Sequence, residues 1–144
     1  MSKKIVLLFI VFLFIIILSY TIFQSSTNGI ALMKVNNMKN DINVLEDRVI
    51  LYYINNDNLP IKDGSFTFSN SINPNDGDEY YEIDLEKIEN LSINYGYKKF
   101  GEDDRYIINK DSFTIYYEKG IEYKDTTYYT NEENYQKINL EEYQ

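Results

Sequence analysis

The chain has 144 residues, 23 of them acidic and 14 basic, with no histidine and no cysteine, and its formal charge is −9. That composition excludes an imidazole base, a thiolate nucleophile, a His/Cys metal cage and a disulfide staple, and it makes nucleic acid a poor partner because phosphate binding needs clustered Lys and Arg. The length leaves room for an apolar anchor, a connecting helix and one small domain, so the expectation is a protein that is not an enzyme, with no cofactor and no small-molecule substrate.

Residues 1–4 form a short basic start that ends in Lys3 and Lys4. Ile5 to Phe23 is an uncharged apolar run. At 1.5 Å per residue it covers about 28 Å, close to the roughly 30 Å hydrocarbon core of a bilayer. Residues 5–23 therefore read as a transmembrane helix whose partner is lipid. The next charge is Lys34, and the positive-inside bias then keeps the N-terminus cytoplasmic and places the remainder on the outer side. Taking Lys3 and Lys4 from the 14 basic residues leaves 12 against 23 acidic ones, a charge of −11 for that outer part. A cleaved secretory signal shares this layout, but the run is long for one, and Gln24-Ser25-Ser26-Thr27-Asn28 is a poor cleavage site. An anchor is the expectation.

Residues 24–56 continue as an amphipathic helix. Ala31, Val35, Met38, Ile42, Leu45, Val49 and Tyr52 follow a 4-3-4-3-4-3 spacing, which puts all of them on one helix stripe. No proline precedes Pro60, so the anchor and this helix are expected to form one rod, with Asn28-Gly29 its weak point. The rod is predicted to stop near Asn56, where Asn55-Asn56-Asp57-Asn58-Leu59-Pro60 favours turns. The stripe has two readings. It is either the core partner of a β domain, favoured because the flanking positions lack a coiled-coil charge pattern, or a lateral contact face for like helices, with these seven residues as the contacts.

Residues 57–130 switch to a period of two, so the fold class is α+β: a long N-terminal helix, half transmembrane and half amphipathic, packed on a small antiparallel sheet. Ser65 to Ser69 alternates as a strand, and Asn70 to Glu79 is a polar loop. Tyr80 to Asp84 is extended, and Asp84 caps a short helix over Leu85 to Asn90. The strands Tyr106 to Ile108, Phe113 to Tyr117, Ile121 to Tyr123 and Thr127 to Tyr129 then suggest a continuous antiparallel meander with turns at Asn109-Lys110-Asp111, Glu118-Lys119-Gly120 and Lys124-Asp125. Residues 131–144 form an acidic tail.

Two acidic clusters make Asp76, Asp78, Asp103 and Asp104 the calcium candidates, since that ion takes grouped hard oxygen ligands. Their spacing fits no EF-hand loop, Ile72 and Pro74 standing where ligands are needed, and solvated turns are the favoured reading. The tyrosine doublets Tyr52-Tyr53, Tyr80-Tyr81, Tyr116-Tyr117 and Tyr128-Tyr129 are expected to put one ring in the core and one on the opposite face, where it either covers a thin sheet or forms an adhesive surface.

A basic start, an apolar segment running into an amphipathic helix, the helix end at Tyr52-Tyr53 and Asn58-Leu59-Pro60, and a β meander together resemble type IV pilins and pseudopilins. Tyr80 to Leu85 and Tyr116 to Thr130 are similar to the C-terminal part of pilin-like proteins of Gram-positive bacteria. The prepilin leader and the glutamate inside the apolar segment are missing, Lys3-Lys4 meeting Ile5 directly. The resemblance implies a minor or accessory component of a type IV pilus, secretion or competence pseudopilus in a bacterial cell membrane, with pilin-type subunits or like helices as partners. The alternative is a membrane-tethered ligand-binding module that does not polymerise, with calcium as its candidate ligand.

Overall fold

The computed structural model of the chain describes residues 2–64 and 79–131. Its first element is helix α1, Lys3–Asn56, which runs unbroken through Asn28-Gly29. At 1.5 Å per residue it is a rod of about 80 Å. Ser2 caps its start, its hydroxyl accepting from the Lys4 N–H at 3.3 Å. At the other end Asp57 enters the left-handed region at φ 55 and its N–H donates to the Tyr53 carbonyl at 2.8 Å. The Asn56 side-chain amide donates to the Tyr52 carbonyl at 2.9 Å. These bonds satisfy carbonyls that the helix leaves open, and Pro60 keeps the chain from resuming it.

Strands β1 (Tyr80–Glu82), β2 (Tyr106–Asn109) and β3 (Ile115–Tyr117) make an antiparallel sheet in that order. Tyr81 pairs with Ile108, Ile108 with Ile115, and Tyr106 with Tyr117. The two-residue period therefore aims Tyr81, Tyr106, Ile108, Ile115 and Tyr117 to one face. That face packs on Met38, Ile42, Leu45 and Val49 of α1, with Ile83 and Ile88 closing the edge. The amphipathic half of the helix and one sheet face thus share a single core, as the α+β expectation requires.

The expected meander is divided. Strands β4 (Ile121–Tyr123) and β5 (Thr126–Tyr128) form a separate hairpin that does not pair with β3, and β4 packs on α1. The Glu118 N–H donates to the Arg105 carbonyl at 3.0 Å, and Gly120, at φ +70, turns the chain away from the sheet. The chain returns beyond β5: the Tyr117 N–H donates to the Tyr129 carbonyl at 2.7 Å and the Thr130 hydroxyl to the Ile115 carbonyl at 2.9 Å. On its side away from β2, the neighbour of β3 is therefore the segment after the hairpin.

Gly120 is required twice over. Its φ disfavours an L side chain, and a Cβ there would lie 2.6 Å from Thr127 Cγ2 and from Tyr129 Cε1. Gly120→Ala is expected to destabilise the domain by about 2–3 kcal/mol, read as a lowered midpoint in urea unfolding. A midpoint unchanged from the parent would show that the turn relaxes freely.

Smaller departures have local causes. The helix expected over Leu85 to Asn90 is a single 3-10 turn, Leu85–Lys87, capped by Asp84, which accepts from the Glu86 N–H at 3.2 Å. It closes at Ile88, which is extended at φ −99 and ψ 111 and donates its N–H to the Leu85 carbonyl. Both rings of the Tyr116-Tyr117 doublet are buried, since the second sheet face, with Tyr80, Ile107 and Tyr116, is as enclosed as the first. Tyr80 and Tyr116 meet there edge to face at 6.0 Å, so this doublet leaves no ring for an adhesive surface. The strand expected at Ser65 to Ser69, the loop from Asn70 to Asp78 and the tail beyond Asn131 lie outside the described residues.

Candidate functional site

The buried residues of α1 begin at Val35, and the apolar run before it is exposed along its length. Ser19 donates its hydroxyl to the Ile15 carbonyl at 2.8 Å and Thr21 to the Leu18 carbonyl at 2.9 Å. Hydroxyls that would be costly in hydrocarbon are thereby satisfied inside the helix. Among the described residues one helix is long and apolar enough to cross a membrane, and it stands near the N-terminus.

The predicted stripe occupies the domain half of the same helix. Val35, Met38, Ile42, Leu45 and Val49 are between 0% and 3% exposed, and Ala31 and Tyr52 are half-buried at its ends. Of its two readings, core partner of the sheet is what the packing gives. As a contact face for like helices the stripe is closed at those five positions, because all five are buried within the chain and Met38, Ile42, Leu45 and Val49 share the core with the sheet. Several apolar residues of the domain half stay exposed, Val44, Ile50, Leu51 and Ile54 among them. Sequence reasoning passed over them because it followed the best single stripe, although the spacing of 44, 51 and 54 runs along the outer side of the helix.

Beneath the stripe lies a polar cluster that the periodicity did not reveal. Asp41, 2% exposed, accepts hydrogen bonds from the Asn94 N–H at 2.9 Å, the Asn94 side-chain amide at 2.8 Å, the Tyr95 N–H at 3.0 Å and the Tyr106 hydroxyl at 2.9 Å. Asp104, fully buried, accepts from the Tyr117 hydroxyl and the Gly96 N–H, both at 2.7 Å, and from the Phe100 N–H at 3.3 Å. The Tyr106 and Tyr117 rings lie 5.1 Å apart, so the two aspartates bracket one aromatic pair. A signal for Asp41 did exist: positions 38, 41 and 45 follow the helical period as well as 38, 42 and 45 do, and an acid on an apolar face needs donors.

Burial first, then the negative charge of Asp41, raises the Tyr106 hydroxyl far above the usual phenol range. Burial and the hydrogen bond to Asp104 do the same for Tyr117. Both phenols therefore hold their protons as fixed donors, which suits a structural role and not proton transfer at neutral pH. A second charged group lies on the other sheet face, where Arg105 pairs with Glu118 and, at 3.3 Å, with Glu82, and Lys62 meets Glu82 at 2.6 Å. Burial acts to raise the Glu82 carboxyl, but the Lys62 hydrogen bond and the charges of Lys62, Lys98 and Arg105 outweigh it and bring the carboxyl below its ordinary value.

Of the calcium candidates, the described pair Asp103 and Asp104 is engaged within the chain. Asp104 is surrounded by the donors just named, and Asp103 pairs with Lys119 at 3.3 Å. Asp76 and Asp78 lie outside the described residues. Among the described residues no group of three or more His, Cys, Asp or Glu is placed to hold a metal ion. Neither a protein-family model, nor a curated protein, nor a solved structure matches this chain.

Proposed function

We propose that the chain is a membrane-anchored, pilin-like structural protein of the bacterial cell surface, with its N-terminus in the cytoplasm and residues 57–130 outside, acting as a minor or accessory subunit of a pilus or pseudopilus. The observation that carries this reading is the division of labour along α1: an exposed apolar half long enough to cross a bilayer continues without a break into a half that is the core of the domain. Lys3 and Lys4 support the orientation. They sit in the first helical turn, where the helix dipole disfavours a cation by about 0.3–1 kcal/mol, so their benefit lies elsewhere, and holding the N-terminus on the cytoplasmic side supplies it. Partner subunits would meet the exposed apolar half of α1, since the stripe from Val35 to Val49 is occupied within the chain.

The absence of cysteine makes topology directly testable. A cysteine introduced as Glu89→Cys, on the exposed surface of the domain, is expected to react with a membrane-impermeant maleimide on intact cells, and one introduced as Ser2→Cys only after lysis. The opposite pattern would overturn the orientation. Intact mass from native membranes separates the pilin-like variants of the proposal: a mass near 17.1 kDa means a permanent anchor, and loss of the whole apolar segment means a secreted domain.

A further inference from the structure

The β4–β5 hairpin reaches the apolar half of α1, with Lys124 and Asp125 exposed at its tip. Its turn residues Tyr123 and Lys124 share a cleft with Thr21, Gln24, Ser25 and Asn28 of α1. The hairpin is fixed in that position, since Ile121 packs against the core and β4 lies on the helix. If Phe23 marks the end of the hydrocarbon-spanning run, Gln24 to Asn28 occupy the next 7 Å or so along the helix axis. The headgroup layer on each side of the hydrocarbon core is about 5–8 Å deep. The turn is therefore held beside the stretch of α1 that passes through the headgroups.

The chemistry of the turn suits that depth. Tyr123 is half-buried, and the Lys124 ammonium lies 5.2 Å from the centroid of its ring. A tyrosine and a lysine together offer an apolar body and polar ends, the combination favoured at the boundary between hydrocarbon and water. Tyr20, exposed on α1 less than one turn before Phe23, adds a second ring near the same level.

We propose that the β4–β5 turn is a second membrane contact, resting Tyr123 and Lys124 in the lipid headgroup layer next to the point where α1 leaves the bilayer. The contact rests on the anchor reading of α1 and extends it: the domain is seated on the membrane and not merely tethered to it. The occupant is the phospholipid surface itself. Exposed Glu122 and Asp125 flank the turn, so neutral zwitterionic headgroups fit it better than an anionic surface.

The chain contains no tryptophan, so single-tryptophan variants of the full-length protein report depth without background. In phosphatidylcholine vesicles, Tyr123→Trp is expected to be quenched more strongly by a nitroxide on the lipid headgroup than by one at the acyl-chain terminus. Tyr20→Trp is expected to be quenched by acyl-chain nitroxides, and Ile54→Trp, roughly 46 Å beyond Phe23 along the helix, by neither. Glu122→Trp, at an exposed strand position beside the turn, repeats the reading if the Tyr123 change disturbs the hairpin. Quenching at position 20 with none at 122 or 123 overturns the second contact and leaves the anchor standing. No quenching at position 20 removes the anchor itself. Equal quenching at 54 and 123 also overturns the proposal, because the helix would then lie along the surface.

Discussion

Asp41→Ala is expected to lower the stability of the domain by about 3–5 kcal/mol, a large share of the roughly 5–15 kcal/mol that holds most domains folded. The carboxylate is buried and accepts from two backbone N–H groups, one side-chain amide and one phenol. Removing it strands these donors away from water at about 1–3 kcal/mol each, less whatever the 94–95 loop recovers by moving out. The loop lies 53 residues from Asp41 in sequence, so its loss also frees a segment that otherwise closes the sheet against the helix. Asp41→Asn keeps the shape but turns an amide toward donors, and an intermediate loss follows. Asp47→Ala, on the exposed side of the same helix, is the control and is expected to change stability by no more than about 0.5 kcal/mol. Urea unfolding of the full chain in detergent micelles, followed by tyrosine near-ultraviolet circular dichroism, measures all three. Equal midpoints for Asp41→Ala and Asp47→Ala would mean that the loop is not tied to the helix.

Alkaline pH is expected to unfold the domain more steeply than it would a protein with exposed tyrosines. Tyr106 and Tyr117 have hydroxyls raised well above the unfolded value of 10.0, through burial in both cases, with Asp41 and Asp104 adding to it. Below pH 10 both states hold these protons and the contribution is fully present. Above it the unfolded chain releases them while the folded chain does not, so stability falls as pH rises. Each retained proton is worth about 1.36 kcal/mol per pH unit, so the two phenols give a slope of about 2.7 kcal/mol per unit above pH 10. Two pH units thus remove about 5 kcal/mol, comparable with the whole stability of a small domain. The tyrosinate absorbance that belongs to Tyr106 and Tyr117, taken as the difference from a variant with phenylalanine at both positions, is expected to rise together with the loss of tertiary circular dichroism. The double variant Tyr106→Phe/Tyr117→Phe, though less stable at neutral pH, is expected to lose stability with a visibly shallower slope. An unchanged slope would place the retained protons on other side chains.

The long-range parts of the fold were the least legible. The limits of α1 were readable because an uncharged run, a seven-position stripe and Pro60 all concern neighbours along one helix. The strands around Tyr106, Ile115, Ile121 and Thr127 were readable for the same reason, each being a short β-branched or aromatic run between turn residues. The β2–β3 and β4–β5 pairings of the meander formed as well, but the β3–β4 pairing did not, since the departure of β4 from the sheet depends on Gly120 nesting against Thr127 and Tyr129, which adjacent residues do not encode. The stripe was identified residue by residue, yet which surface it would meet depended on the sheet beneath it. Asp104 shows the limit of reading acids by clustering. Beside Glu102 and Asp103 it read as part of a solvated turn, with calcium as the alternative, and it is instead buried with the Tyr117 hydroxyl and two backbone N–H groups as its donors. Asp41 shows the complementary case, a lone acid whose meaning lay in its position on the apolar face.

The unbroken run of α1 from the apolar segment into the core has a mechanical consequence. With no proline or flexible linker between them, the apolar segment and the domain rotate as one body, and on the anchor reading proposed above the helix is a lever with its fulcrum in the bilayer. Transmembrane helices tilt by about 20° on average, and the tilt grows as the bilayer thins. Over the roughly 46 Å from Phe23 to Ile54, such a tilt carries the far end of the domain about 16 Å sideways. A change of a few ångströms in membrane thickness would thus be amplified into a sideways displacement on the order of 10 Å, and the reach and angle of its outer surface would be set by the lipid in which it stands.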